Sequence, residues 1–245
     1  MQRYFIPQPF IDGISVISGD DAKHIQKVMR MQIGNSIIAV SEGQAFEATI
    51  EDFLGQDVRI KKSSDSLRSN ELPKKVTICC GLPKGEKLDL ITQKATELGM
   101  DELILFEAER SIVKWDAQKG SKKQQRLQKI AKEAAEQSHR NVVPTIHNIL
   151  SFKELLKQST NYDVLFVADE EDAKLEKRTR FVETLSKIDD KQSILVIFGP
   201  EGGLSRKEID ALINHGFHTI SLGPRILRAE TAPLYVLSAI SYQFE

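Results

Sequence analysis

The stretch "SILVIFGPEGGLSRKE", Ser193 to Glu208, limits the fold more than any other part of the chain. Its apolar run, Ile194 to Phe198, reads as a buried strand that enters Gly199, Pro200, Glu201, Gly202 and Gly203 without a break. The next helix is announced by Ser205 with Glu208 three residues on, the spacing of a capping box. Strand, glycine loop and helix in that order predict a parallel α/β sheet, in which ligands sit outside the carboxyl ends of the strands. Glycines let the backbone approach such a ligand closely, but a tight strand-to-helix turn would need the same residues, so spacing alone leaves both readings open. The loop is not the dinucleotide pattern G-x-G-x-x-G, because Pro200 and Glu201 separate Gly199 from the Gly202-Gly203 pair. Nor is "GLPKGEK", Gly81 to Lys87, a phosphate-binding P-loop, since its lysine lacks both the spacing and a following Ser or Thr.

A second irregular loop follows shortly afterwards. "FHTISLG" reads as a strand that ends in "LGPRILRAETA", Leu222 to Ala232, and a helix begins near Thr231 with Pro233 in its first turn. Two arginines and a glutamate in so short a stretch cost desolvation unless water or a ligand compensates them, so this is either a solvated loop or part of a site. In a parallel sheet both loops lie at the same edge and together wall one pocket.

Upstream the rhythm differs. "ISVIS", "SIIAV", "AFEATIED" and "DVRIKK" are short alternating or β-branched runs punctuated by Gly34, Gly43 and Gly55, with a helical stretch from Asp20 to Met31. They predict a small β-rich domain. "KKSSDSLRSNELPKK", Lys61 to Lys75, has no periodicity and many Ser and charged residues, and is expected to be a linker. Beyond it strands and helices alternate, the first helix running from about Glu86 to Leu98 with Leu88, Ile91, Ala95 and Leu98 on one face. Two domains are therefore expected, residues 1–70 and 71–245.

With 245 residues, 40% of them apolar, the chain has material for both cores. Its net charge of −1 excludes a globally basic nucleic-acid binder, so any polyanion site has to be local. The segment from Arg110 to Arg140 supplies one, with nine basic residues against three acidic. That asymmetry reads either as a phosphate-binding face or as an ordinary solvated helix face. Cys79 and Cys80 are neighbours that point to opposite sides of a strand and offer neither metal spacing nor a disulfide framework, which suits a reducing compartment. No metal site is expected, and His24 and His139 read as structural or surface residues. Trp115 reads as an interface anchor or a stacking platform. The N-terminus lacks an apolar signal region and no run approaches a membrane span, so a soluble, unprocessed, cytoplasmic chain is expected.

"GPEGGLSRKE" and "SLGPRILRAETA", in this order and separation, resemble the two cofactor loops of SPOUT-class methyltransferases, and more narrowly of the RsmE family. The resemblance extends to "RYFI" at Arg3 to Ile6, "HIQKVMRM" at His24 to Met31, "QKATELGMDELILFEAERS" at Gln93 to Ser111 and "EAAEQSHRNVVP" at Glu133 to Pro144. It implies a PUA-like RNA-binding β-barrel domain followed by a parallel-sheet methyltransferase domain whose last segment threads a trefoil knot. It also implies a homodimer, S-adenosyl-L-methionine as cofactor, and N3 methylation of a uridine in 16S ribosomal RNA, naked or within an assembled 30S subunit. On the matching positions the cofactor residues are Phe198, Gly199, Pro200, Glu201, Gly202, Gly203, Leu222, Gly223, Ile226 and Leu227. Arg228 is implied to stabilise negative charge on the uracil, with Glu230 orienting it or accepting the N3 proton. RNA contacts fall to Arg3, Lys122, Lys123, Arg126, Gln137 and Arg140. Two other readings stay open: a related knotted enzyme with another RNA target or a ribose oxygen as acceptor, and a non-catalytic RNA-binding assembly factor.

Overall fold

A computed structural model of the chain describes residues 1–169, 181–186, 188 and 192–245. They divide into two compact units, one made of Met1–Glu71 with Ala135–Val142, the other of Leu72–Ala134 with Val143–Glu245.

In the first unit β1 (Arg3–Phe5), β2 (Ile14–Ile17), β3 (Ser36–Ser41), β4 (Gln44–Leu54) and β5 (Asp57–Ser66) form a sheet in the order β1-β3-β4-β5-β2. β1 joins β3 in parallel and the other pairings are antiparallel. The edge strands β1 and β2 are not paired to each other, so the sheet curls without closing into a hydrogen-bonded barrel. One face carries the core of Tyr4, Ile17, Ile25, Ile37, Ile50, Val58 and Ile60. Between β2 and β3, α1 (Gly19–Lys23) passes into a π-helical turn at His24–Val28, which realises the helical stretch expected there.

The expected linker begins too early. Lys61 pairs with Ile14 and Thr49, Lys62 with Ala48 and Ser66 with Phe46, so β5 runs on to Ser66. Polar side chains are tolerated there because neighbouring strands satisfy the backbone while much of the face stays open to water. The Lys62 ammonium lies 3.8 Å over the Phe46 ring.

The second unit holds β6 (Lys75–Gly81), β7 (Glu102–Glu107), β8 (Thr145–Ile146), β9 (Leu150–Ser151), β10 (Val164–Ala168), β11 (Ser193–Phe198) and β12 (His218–Ile220). Their order is β12-β10-β11-β6-β7-β8, with β9 also on β7, and every pairing is parallel. Alternate residues feed two cores. Ile194, Val196 and Phe198 face one, beneath α2 (Lys87–Glu97), α3 (Ala117–Gln137), α5 (Phe181–Leu185) and α7 (Thr231–Phe244), while Leu195 and Ile197 face the other, beneath α4 (Phe152–Ser159) and α6 (Arg206–Asn214). Cys80 and Cys79 are divided between the same two cores, both buried free thiols. Burial pushes the Cys80 thiol up to about 12, so neither serves as a thiolate nucleophile. Trp115 packs partly buried against the first core.

Candidate active site

Parallel strands send their following loops out at one edge. β11 and β12 both end there, separated in the sheet by β10. The loop after β11 is drawn tight by its own backbone. A Cβ on Gly199 would lie 2.7 Å from the carbonyl carbon of Gly203 and 2.8 Å from the Leu204 nitrogen. Gly81, at the end of β6, is as close to the same loop, its missing Cβ falling 2.7 Å from Pro200 Cδ. Gly203 is glycine for another reason. Its φ of +66° is left-handed, its N–H donates to Pro200 O at 2.8 Å, and a Cβ there would meet nothing within 4 Å. Packing thus sets Gly199 and Gly81, while conformation and open space set Gly203.

The capping box of α6 forms in full, and its carboxylate does more than cap. Buried Glu208 accepts from Ser205 N at 2.8 Å with one oxygen and from Glu109 N, after β7, at 2.8 Å with the other. Arg110 Nη1 donates to Gly202 O at 3.1 Å, and Arg206 pairs with Asp169 after β10 at 2.5 Å. The loops after β7, β10 and β11 are therefore fastened to one another by charge-assisted bonds.

Lys87, the first residue of α2, connects the remaining two. Its Nζ lies 2.7 Å from Glu201 Oε1 and 3.4 Å from Glu230 Oε2. Glu201 also accepts from Lys84 N at 3.0 Å. Burial works to raise the Glu201 carboxyl, but the bonds from Lys87 and the Lys84 backbone outweigh it and hold the group below the usual carboxylate range. The bond to Glu201 raises Lys87 in turn. Glu230 is thus held by Lys87 rather than by Arg228, so of its two expected roles, orienting the arginine or accepting a proton, the first has no contact behind it. Arg228 is exposed and its side chain has no partner among the described residues; only its carbonyl is engaged, accepting from Thr231 and Ala232.

The loop before α7 fits a bound cofactor with polar and apolar parts. Among the described residues, the N–H groups of Leu222, Gly223, Ile226 and Leu227 donate to no protein acceptor. Ser221 Oγ, just after β12, and Glu230 Oε2 are buried without a hydrogen-bond partner among the described residues. Unpaired main-chain donors beside Leu222 and Leu227 suit a ligand gripped chiefly by backbone.

The expected RNA contacts divide into two groups. Arg3 and Arg140 are buried, and the assignment of both to RNA is corrected. Arg3 Nη1 donates to Arg140 O and Asn141 Oδ1, each at 2.7 Å, while Arg140 pairs with Glu71, whose other oxygen accepts from Asn141 N at 2.7 Å. A guanidinium committed to internal acceptors is a structural peg. The second group is open to solvent. A depression of about 400 Å³ on α3 is lined by Asp116, Gln118, Lys119, Lys122, Lys123 and Arg126. Arg126 is drawn toward Asp89 of α2, whereas Lys122 and Lys123 have no anionic partner among the described residues. Gln137 is exposed.

Sequence reasoning missed Lys87, Gly81, Arg110 and the second bond of Glu208. For Lys87 a signal existed: a lysine opening a helix faces the positive end of the helix dipole, an unfavourable place unless anions surround it.

Comparison with known proteins agrees with this geometry. Residues 70–241 match the RNA methyltransferase domain family and residues 17–53 the RNA methyltransferase PUA domain. Ribosomal RNA small subunit methyltransferase E of Bacillus subtilis (strain 168) is 46% identical over 254 aligned positions, covering 100% of this chain and 98% of that protein. The protein of the same name from Synechocystis is 31% identical, covering 98% and 76%. Among solved structures, a crystal structure of ribosomal RNA small subunit methyltransferase E from Neisseria gonorrhoeae, bound to S-adenosyl methionine, superposes with a TM-score of 0.86 at 26% identity, covering 99% and 97%. A crystal structure of a hypothetical protein superposes with a TM-score of 0.91 at 43% identity, covering 100% and 99%. By its family match and this full-length likeness, the chain belongs to the RNA methyltransferase family that includes the ribosomal RNA small subunit methyltransferase E proteins.

Proposed function

We propose that this chain uses S-adenosylmethionine to methylate N3 of a uridine in 16S ribosomal RNA. One observation carries the reading: the loops after β11 and β12, irregular and joined through Lys87, converge at one sheet edge in a chain alike over its whole length to proteins of that name. When bound, the cofactor supplies an electrophilic methyl on a sulfonium. The chain's own residues do the rest. Phe198 to Gly203, with Leu222, Gly223, Ile226 and Leu227, hold the cofactor chiefly through main-chain groups. N3 must lose its proton before its electron pair attacks, and the Glu230 carboxylate accepts that proton or fixes the base for its departure. Arg228 faces the negative charge that spreads onto the uracil oxygens, and Lys122 and Lys123 hold RNA phosphates.

The enzyme acts in the cytoplasm as a homodimer on ribosomal RNA or the assembled 30S subunit, with a trefoil knot in its last segment. Support for the dimer lies in apolar and aromatic side chains left at the surface around α7, where Ile226 is 74% and Tyr242 94% exposed.

Nucleoside mass spectrometry of 16S ribosomal RNA from cells with and without the protein tests the reading. N3-methyluridine is expected to vanish on deletion and return with the wild-type chain. A missing ribose methyl, or a methyl lost from another RNA, would move the assignment to a related enzyme; no change in any methylated nucleoside would leave a binding factor.

A further inference from the structure

We propose that Lys87 is a positioning residue for methyl transfer, its ammonium setting the Glu230 carboxylate against the loop that carries Glu201. The inference rests on the reading of this sheet edge as the methyl-transfer site. Lys87 opens α2, where the exposed N–H groups of a helix disfavour a cation. The nearest acid of that first turn, Asp89, is engaged by Arg126. What holds the lysine is the pair of carboxylates, Glu201 at 2.7 Å and Glu230 at 3.4 Å. Each comes from a different loop, so one ammonium joins the segments after β6, β11 and β12.

The two contacts are unequal. Glu201 receives a short bond from Lys87 and a backbone bond from Lys84, and so anchors the ammonium. Glu230 Oε2 is buried, feels the charge at 3.4 Å and has no hydrogen-bond partner. The Glu230 side chain as a whole is 18% exposed, which leaves its carboxylate within reach of a group that enters the site, such as the N3–H of a uracil. The charged groups acting on Glu230 are Lys87 from α2 and, through the shared ammonium, Glu201 from the loop after β11; Arg228 on its own loop is exposed. An ammonium in that place keeps the Glu230 carboxylate aimed, and Lys87 itself need not touch either substrate.

The test uses the full-length protein with its ribosomal RNA or subunit substrate, comparing wild type with Lys87→Met, Lys87→Arg, Glu230→Gln and the Lys87→Met/Glu230→Gln double variant. Thermal melting first confirms folding, and calorimetry then measures S-adenosylmethionine affinity without catalysis. Lys87→Met is expected to cut the single-turnover rate by about tenfold or more, with cofactor affinity little changed and Lys87→Arg recovering much of the loss. The double variant should be no slower than Glu230→Gln alone, because Lys87 acts through that residue. A folded Lys87→Met protein with the wild-type single-turnover rate would overturn the inference. So would equal losses in the Met and Arg variants, or additive losses in the double variant. A wild-type protein that transfers no methyl would instead overturn the function on which the inference rests.

Discussion

Arg228 is exposed, unpaired among the described residues, and two positions from a carboxylate that another lysine already holds. An arginine so free costs nothing to keep at the surface and is available to an incoming anion. Arg228→Ala is therefore expected to slow methyl transfer by on the order of a hundredfold while cofactor binding holds, the scale found when one charge-stabilising donor is removed. Arg228→Lys should recover only part, since an ammonium cannot span two oxygens as a guanidinium does. Single-turnover kinetics beside calorimetry reads both, and wild-type turnover in Arg228→Ala would mark the residue as plain surface. The glycines of the neighbouring loop separate two kinds of damage. Gly203→Val puts a β-branched side chain at φ +66° and into open space, so S-adenosylmethionine affinity should be lost. Gly199→Ala drives a methyl into the backbone of Gly203 and should lower the melting temperature first.

At the scale of elements, α6 makes the clearest stability prediction. Glu208 completes the capping box and fastens the loop after β7, so Glu208→Ala should cost about 1–2 kcal/mol in denaturant unfolding, and more if the Glu109 N–H is left buried and unpaired. α3 makes an electrostatic one. Lys122→Glu with Lys123→Glu should weaken RNA binding and flatten its salt dependence, leaving cofactor affinity alone; an unchanged slope would make this an ordinary solvated face. What the chain announced about its elements follows from how local each signal is. Ser205 and Glu208, Pro233 in the first turn of α7, and the apolar face of α2 act within a few residues, and all three appear as read. The extension of β5 through Lys61 to Ser66 was hidden because its hydrogen bonds come from β2 and β4, over ten residues away. Lys87 with Glu201 and Glu230, and Arg140 with Glu71, are likewise pairings of side chains far apart in sequence, which no periodicity encodes. The loops of the site were legible as loops; which carboxylate met which cation was not.

For the whole molecule the two units are not successive beads. The first is completed by Ala135–Val142, a segment that follows most of α3 and precedes β8, so the backbone passes between units at 71/72, 134/135 and 142/143. Arg3, buried in β1, finds two acceptors in that late segment, Arg140 O and Asn141 Oδ1. A fragment ending at residue 70 would carry a buried guanidinium with nothing to receive it, and should behave as an expanded, protease-sensitive chain. Mixed with a fragment of residues 71–245, which brings Glu71, Arg140 and Asn141, it should reassociate, because the missing acceptors then arrive in trans. Size-exclusion chromatography and amide hydrogen exchange of the separate and mixed fragments check this, a rigid 1–70 fragment alone being the contrary result. Such a chain cannot gain or lose its N-terminal unit by simple end-to-end shuffling. A recombination event at residue 70 would deliver an incomplete module, and exchange between relatives has to carry the short insert along with it.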